Sequence, residues 1–115
     1  MRILIVGNGG REHALLWKLR RDAPDASFVV TRPNGGMTGV DALDLSPEDV
    51  DGIAGWATAN PVDLGMVGPE APLALGLVDR LAAEGVAAFG PTAGAARIEA
   101  SKAFAKALMV RHRIP

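Results

Sequence analysis

Two short segments hold residue types that could do chemistry. In Gly7-Asn8-Gly9-Gly10-Arg11, the glycines let the backbone turn tightly and approach a ligand with no Cβ in the way. A helix opening near Arg11 would aim unpaired N–H groups and the positive end of its dipole at the same space. Such a place suits an anion, most naturally a phosphate. The second segment is Gly68-Pro69-Glu70-Ala71-Pro72. An ionised Glu70 only accepts hydrogen bonds, which suits ribose hydroxyls or a ligand amine, and it would repel a phosphate. Phosphate is therefore expected at the glycine loop and Arg11, with sugar toward Glu70. Plainer readings stand beside both: a packing turn for the glycines, and a first-turn helix acid for Glu70.

Other candidates are thinner. His13 could serve as a general base, although a helix-start histidine packed under the loop is the simpler reading. His112 lies between Arg111 and Arg113 and reads as a solvated helix end. The two histidines are far apart, with no carboxylates at ligand spacing, so no metal site is expected. No Ser-His-Asp or Cys-His arrangement is present. Lys102 follows Ser101 at an expected helix start, from which it could reach a nucleotide phosphate; otherwise it is a surface lysine.

The glycine loop also invites a dinucleotide. That fingerprint wants Gly-x-Gly-x-x-Gly, and an acid after the second strand for the ribose. Gly7 and Gly9 fit, but the third position is Glu12, and Thr31-Arg32 follows the second strand. Arg32 could suit a 2′-phosphate, so an NADP-binding Rossmann domain of an oxidoreductase is the alternative. A side chain at position 12 should crowd the strand–helix packing, which favours a smaller phosphate ester.

These residues need elements to position them. Ile3–Val6 is a short apolar run of the kind buried on both faces of a sheet. A helix is expected over Glu12–Arg21 on Leu15, Leu16 and Leu19, with Trp17 flanking, and Pro24 forbids its continuation. Ser27–Thr31 and Ala42–Leu45 read as strands around a loop over 32–39. Ser46-Pro47-Glu48-Asp49 reads as a cap, a first-position proline and acids, opening a helix to about Ala59. Asp63–Val67 is the next strand. One helix on Leu73, Leu77, Val78 and Leu81 should close at Gly85. Val86–Phe89 is a last strand, followed by a short helix to Ile98 and another over Ser101–His112 on Phe104, Leu108 and Met109.

Strand–helix alternation predicts an α/β fold, a doubly wound parallel sheet with helices on both faces. In such a sheet the strand ending at Val67 lies beside the first, which brings Glu70 near the glycine loop.

Bulk properties narrow the setting. At 115 residues the chain is about one domain, and 49% hydrophobic against 22% charged residues makes it globular. A net charge of −1 without a basic stripe argues against nucleic acid as a partner. The four-residue apolar start is too short for a signal or membrane segment. The absence of cysteine excludes disulfides and thiolate metal sites, and fits a cytoplasmic protein. Residues 1–100 read as one substrate-binding domain. Residues 101–115 read either as the start of a next unit or as a helix docking on the sheet.

Longer motifs then carry a resemblance. Gly7-Asn8-Gly9-Gly10-Arg11-Glu12-His13-Ala14-Leu15, Val67-Gly68-Pro69-Glu70-Ala71-Pro72-Leu73, Phe89-Gly90-Pro91-Thr92-Ala93-Gly94-Ala95-Ala96 and Glu99-x-Ser101-Lys102-x-Phe104-x-Lys106 closely resemble the glycinamide ribonucleotide synthetase (phosphoribosylamine–glycine ligase) family of ATP-grasp ligases. The resemblance implies a Rossmann-like, pre-ATP-grasp N-terminal domain of a purine-biosynthesis enzyme. In that enzyme ATP, with Mg²⁺ (or Mn²⁺) balancing its phosphates, phosphorylates the glycine carboxylate. The amine of 5-phosphoribosylamine then attacks the acyl phosphate, giving glycinamide ribonucleotide.

By motif match, Asn8, Gly9, Gly10, Arg11, Pro69 and Glu70 would bind phosphoribosylamine, and Lys102 would reach ATP. No residue of the segment is expected to be catalytic. The family's Pro-Gly-Asn-x-Gly loop is replaced by Arg32-Pro33-Asn34-Gly35-Gly36, so no contact is assigned to it. The glycine site, most of the ATP site and the Mg²⁺ carboxylates would lie beyond Pro115. The chain is therefore expected to be part of a longer ligase, inactive alone and partnered by the remaining domains of the same polypeptide. A non-enzymatic sugar-phosphate sensor is a third possibility.

Overall fold

The computed structural model describes residues 1–115. Five strands, β1 (Arg2–Val6), β2 (Ser27–Thr31), β3 (Asp41–Leu43), β4 (Leu64–Val67) and β5 (Ala88–Phe89), form one sheet in the order β3-β2-β1-β4-β5. Every pairing is parallel. β1 sits in the middle, Ile3 opposite Phe28 on one side and Leu64 on the other. Six helices connect the strands or follow them: α1 (Gly10–Asp22), α2 (Val50–Ala59), α3 (Glu70–Ala74), α4 (Leu77–Ala83), α5 (Ala93–Ala100) and α6 (Lys102–Arg111).

Alternation along the central strands divides the core between the sheet's two faces. Ile3, Ile5, Phe28 and Val30 pack with Leu16 of α1 and with Met37. Leu4, Val6 and Val29 pack with Ile53, Ala54 and Ala57 of α2 and with Leu77, Val78 and Leu81 of α4. The expected doubly wound architecture is thus the observed one, and it sets the β1–α1 and β4–α3 loops side by side at the strands' carboxyl ends.

Several boundaries differ from expectation. α1 opens at Gly10, with Gly9 as its N-cap. α2 opens at Val50, four residues after the expected cap Ser46. Asp49 caps it by accepting from Gly52 N at 3.0 Å, while Ser46 is spent on a turn, its Oγ accepting from Glu48 N at 3.2 Å. The single helix expected up to Gly85 is two, α3 and α4, because Gly76 stands between them in the left-handed region (φ 84°). β5 keeps only two residues. Trp17 is exposed, with the Arg21 guanidinium 4.9 Å from its ring centroid. No residue of α6 is buried. It packs on α5, with Arg97 over the Phe104 ring at 4.0 Å, and not on the sheet. No helix is long and apolar enough to cross a membrane.

Candidate functional site

β1 delivers the chain into the glycine loop with Gly7 at φ 116°, a conformation that glycine adopts without strain. The Gly7 N–H donates to Thr31 Oγ1 at 2.8 Å, and Thr31 is fully buried at the end of β2. The loop is also latched to the segment after β2. Asn8 Nδ2 donates to the Arg32 carbonyl and Asn34 Nδ2 to the Asn8 carbonyl, both at 2.8 Å. Asn34 Oδ1 in turn accepts from Gly36 N at 2.9 Å. His13 lies against Gly36, where a Cβ would strike its ring, so it packs under this loop. The 32–39 segment, for which no contact was expected, braces the glycine loop from one side.

The other side is braced by a residue the sequence reading had cast as an obstacle. Glu12, in the first turn of α1, is only 4% exposed, yet it does not crowd the strand–helix packing. Its Cγ and Cδ lie 2.7 and 2.8 Å from the point where a Gly7 Cβ would stand, and Pro69 Cγ lies 2.8 Å from that point. Glu12 Oε1 occupies the place of a Gly68 Cβ. The space denied to side chains at Gly7 and Gly68 is the space Glu12 fills. Its Oε2 accepts the Gly9 N–H at 2.9 Å, closing a one-sided capping box with the N-cap residue. That N–H is thereby occupied. Of the N–H groups left without an intrahelical acceptor, those of Gly10, Arg11 and Glu12, the first two belong to exposed residues.

The candidate binding residues from the two segments do come together. Arg11 Nη1 donates to the Gly68 carbonyl at 2.8 Å, and its Nη2 lies 3.5 Å from Glu70 Oε1. Both side chains remain about half exposed, at 58% and 48%, so the pair is open to competition from a ligand. The Glu70 carboxyl is held below the usual carboxylate range. Its own backbone N–H contributes most, then the Glu99 side chain from α5, then the Arg11 charge. Pro69 is the N-cap residue of α3.

A cleft of about 360 Å³ opens beside this pair, between Asn8 and Gly9, Glu12, Pro47 and Glu48, and Pro69 and Pro72. Its titratable lining groups are both carboxylates, Glu12 and Glu48, which suit hydroxyl or amine donors and disfavour a phosphate. A phosphate therefore fits better outside it, at the Gly10–Arg11 helix start. Glu48 was not foreseen as a lining residue; its only signal was its place in the loop after β3, next to the crevice.

Lys102 is not part of this cluster. It is the exposed first residue of α6, after Ser101, whose Oγ accepts from Phe104 N at 3.2 Å. Arg32, the feature that kept an NADP reading alive, directs its Nε to Asp44 Oδ1 at 3.0 Å. No group of three or more His, Cys, Asp or Glu side chains could hold a metal ion.

Comparison with known proteins finds relatives along the whole chain. Residues 1–99 match the family described as Phosphoribosylglycinamide synthetase, N domain. The chain is 47% identical over 119 residues to a Pasteurella multocida protein named phosphoribosylamine–glycine ligase, covering 100% of this chain and 28% of that protein. Like-named proteins of Xanthomonas campestris pv. campestris (47% over 119 residues, 100% of this chain and 27% of the relative) and Escherichia coli K12 (44% over 118 residues, 100% and 28%) are similar to it as well. The chain thus spans about 28% of the length of the curated relatives it matches. With the glycine loop, Arg11 and Glu70 at the sheet's crevice and this match along nearly its whole length, the chain belongs to the phosphoribosylglycinamide synthetase N-domain family.

Proposed function

We propose that this chain supplies the phosphoribosylamine-binding part of a phosphoribosylamine–glycine ligase. One observation supports this most directly: the Arg11 guanidinium at the start of α1 and the Glu70 carboxylate at the start of α3 meet at 3.5 Å. An anion-binding helix start thus stands next to an acceptor for hydroxyls. In this reading the 5-phosphate takes the N–H groups of Gly10 and Arg11 together with the Arg11 side chain. Asn8, Gly9 and Pro69 shape the wall, and Glu70 accepts from ribose hydroxyls.

Activation of glycine by ATP falls to other parts of the ligase. Lys102 is this chain's one candidate contact to ATP. The residues present do not form a site for Mg²⁺. The proposed setting is the cytoplasm, which the cysteine-free sequence suits.

The test is Glu70→Ala in the full-length ligase. Loss of a charge-assisted hydrogen bond, worth about 1.5–3 kcal/mol, should lower kcat/KM for phosphoribosylamine about tenfold or more while the KM for ATP holds. An unchanged value would leave Glu70 as a first-turn helix acid and remove the reading's main support.

A further inference from the structure

We propose that Glu12 is a positioning residue that fixes the spacing between the two halves of the site. The proposal rests on the reading of this crevice as a sugar-phosphate site. Glu12 touches both halves at once. Its Oε2 holds the Gly9 N–H at 2.9 Å in the loop after β1. Its Oε1 takes the place of a Cβ at Gly68, in the loop after β4. Its stem fills the gap between Gly7 and the Pro69 ring.

Gly7, Gly9 and Gly68 thus form a socket, and a buried carboxylate is its plug. Gly9 directly precedes the exposed Gly10 and Arg11, and Gly68-Pro69 directly precedes Glu70. The distance from anion donors to hydroxyl acceptor is therefore set through Glu12. At 4% exposure it offers a ligand little surface of its own, so it acts through its neighbours. It also stands where a dinucleotide loop has its third glycine.

The test uses this chain with ribose 5-phosphate as the probe, read by amide NMR in the wild type, Glu12→Gln, Glu12→Ala and Glu12→Asp. Gln keeps the shape and one acceptor oxygen, Ala removes the plug, and Asp is one methylene too short to reach Gly9.

In Ala and Asp, the Gly9 amide should lose exchange protection and the Gly68–Glu70 amides should shift with it. Ribose 5-phosphate affinity should fall about tenfold in Ala and Asp and less than about threefold in Gln, rescue by shape being the mark of a positioning role. If Ala does not fold, Asp against Gln carries the comparison.

Wild-type affinity in a folded Ala or Asp variant overturns the proposal, as does an equal loss in Gln and Ala, which would make the charge itself the determinant. A wild type that does not bind ribose 5-phosphate refutes the proposed function instead. The positioning role is then judged by the amides alone, and it fails if only residues of the β1–α1 loop and α1 respond.

Discussion

Gly68→Ala puts the packing around the site to a quantitative test. Gly68 does not have a positive φ, so alanine strains nothing in the backbone there. The added methyl would clash with Glu12 Oε1 and stand 2.9 Å from its Cδ and 3.0 Å from its Cγ. The whole side chain must therefore leave, and the adjoining free space is the cleft. Leaving breaks the buried bond to the Gly9 N–H, a charge-assisted one worth about 1.5–3 kcal/mol. Repacking around Gly7 and Pro69 adds roughly 1 kcal/mol, the low end for an overpacked core. A loss of about 2.5–4 kcal/mol results, which for a domain of this size lowers Tm by roughly 10–16 °C.

Thermal unfolding followed by far-UV circular dichroism measures it, with Gly10→Ala as control. A Cβ at Gly10 meets nothing within 4 Å, and that substitution should be neutral or stabilising by up to about 1 kcal/mol. The double variant Glu12→Ala/Gly68→Ala should be no worse than Glu12→Ala alone, because the methyl then enters vacated space. A Gly68→Ala protein within about 0.5 kcal/mol of the control, the range of ordinary surface changes, would refute the socket.

Two further outcomes follow from the same geometry. Thr31→Val should cost about 1–3 kcal/mol in chemical denaturation, because it leaves the buried Gly7 N–H without its acceptor. Thr31→Ser should recover most of that, and equal loss in both would mean the methyl matters as much as the hydroxyl. Glu70 should titrate below an ordinary glutamate in a carboxylate-detected NMR pH series, and Arg11→Ala should move it part of the way back up. A depressed carboxyl adds stability that is present above its unfolded pKa of about 4.3 and is lost as pH falls through the lower folded value. The Arg11–Glu70 tie should accordingly survive to pH values below the usual carboxylate range. A midpoint that does not respond to Arg11→Ala would contradict the pairing.

The parts legible in the sequence were those where one local signal sufficed. Ile3–Val6 could only be a covered strand, and strand–helix alternation left one sensible sheet, which placed Glu70 by the glycine loop. Helix starts were less legible, because Ser46 and Asp49 are both capping residues and only the tertiary structure decides which one caps. The break at Gly76 was hidden by Leu73, Leu77 and Leu81, which keep a helical period across it. Glu12 was misread because its room is made by Gly7 and by Gly68, which follows a different strand. The Asn8–Arg32 and Asn34–Asn8 hydrogen bonds span more than twenty residues and leave no periodic trace. Lys102 stood out by motif alone, and nothing in its surroundings ties it to the crevice.

The central place of β1 also bears on how the molecule assembles. The earliest of the five strands in chain order becomes the middle of the sheet, paired with β2 on one side and with β4, some sixty residues later, on the other. Until Leu64–Val67 arrives, β1 presents an open hydrogen-bonding edge, and neither the Glu12 socket nor the crevice can close. Such non-local pairing raises contact order, and with it the time the chain spends with an unpaired apolar edge. The arrangement that brings Arg11 to Glu70 is thus also the last part of the sheet's centre that the chain is able to complete.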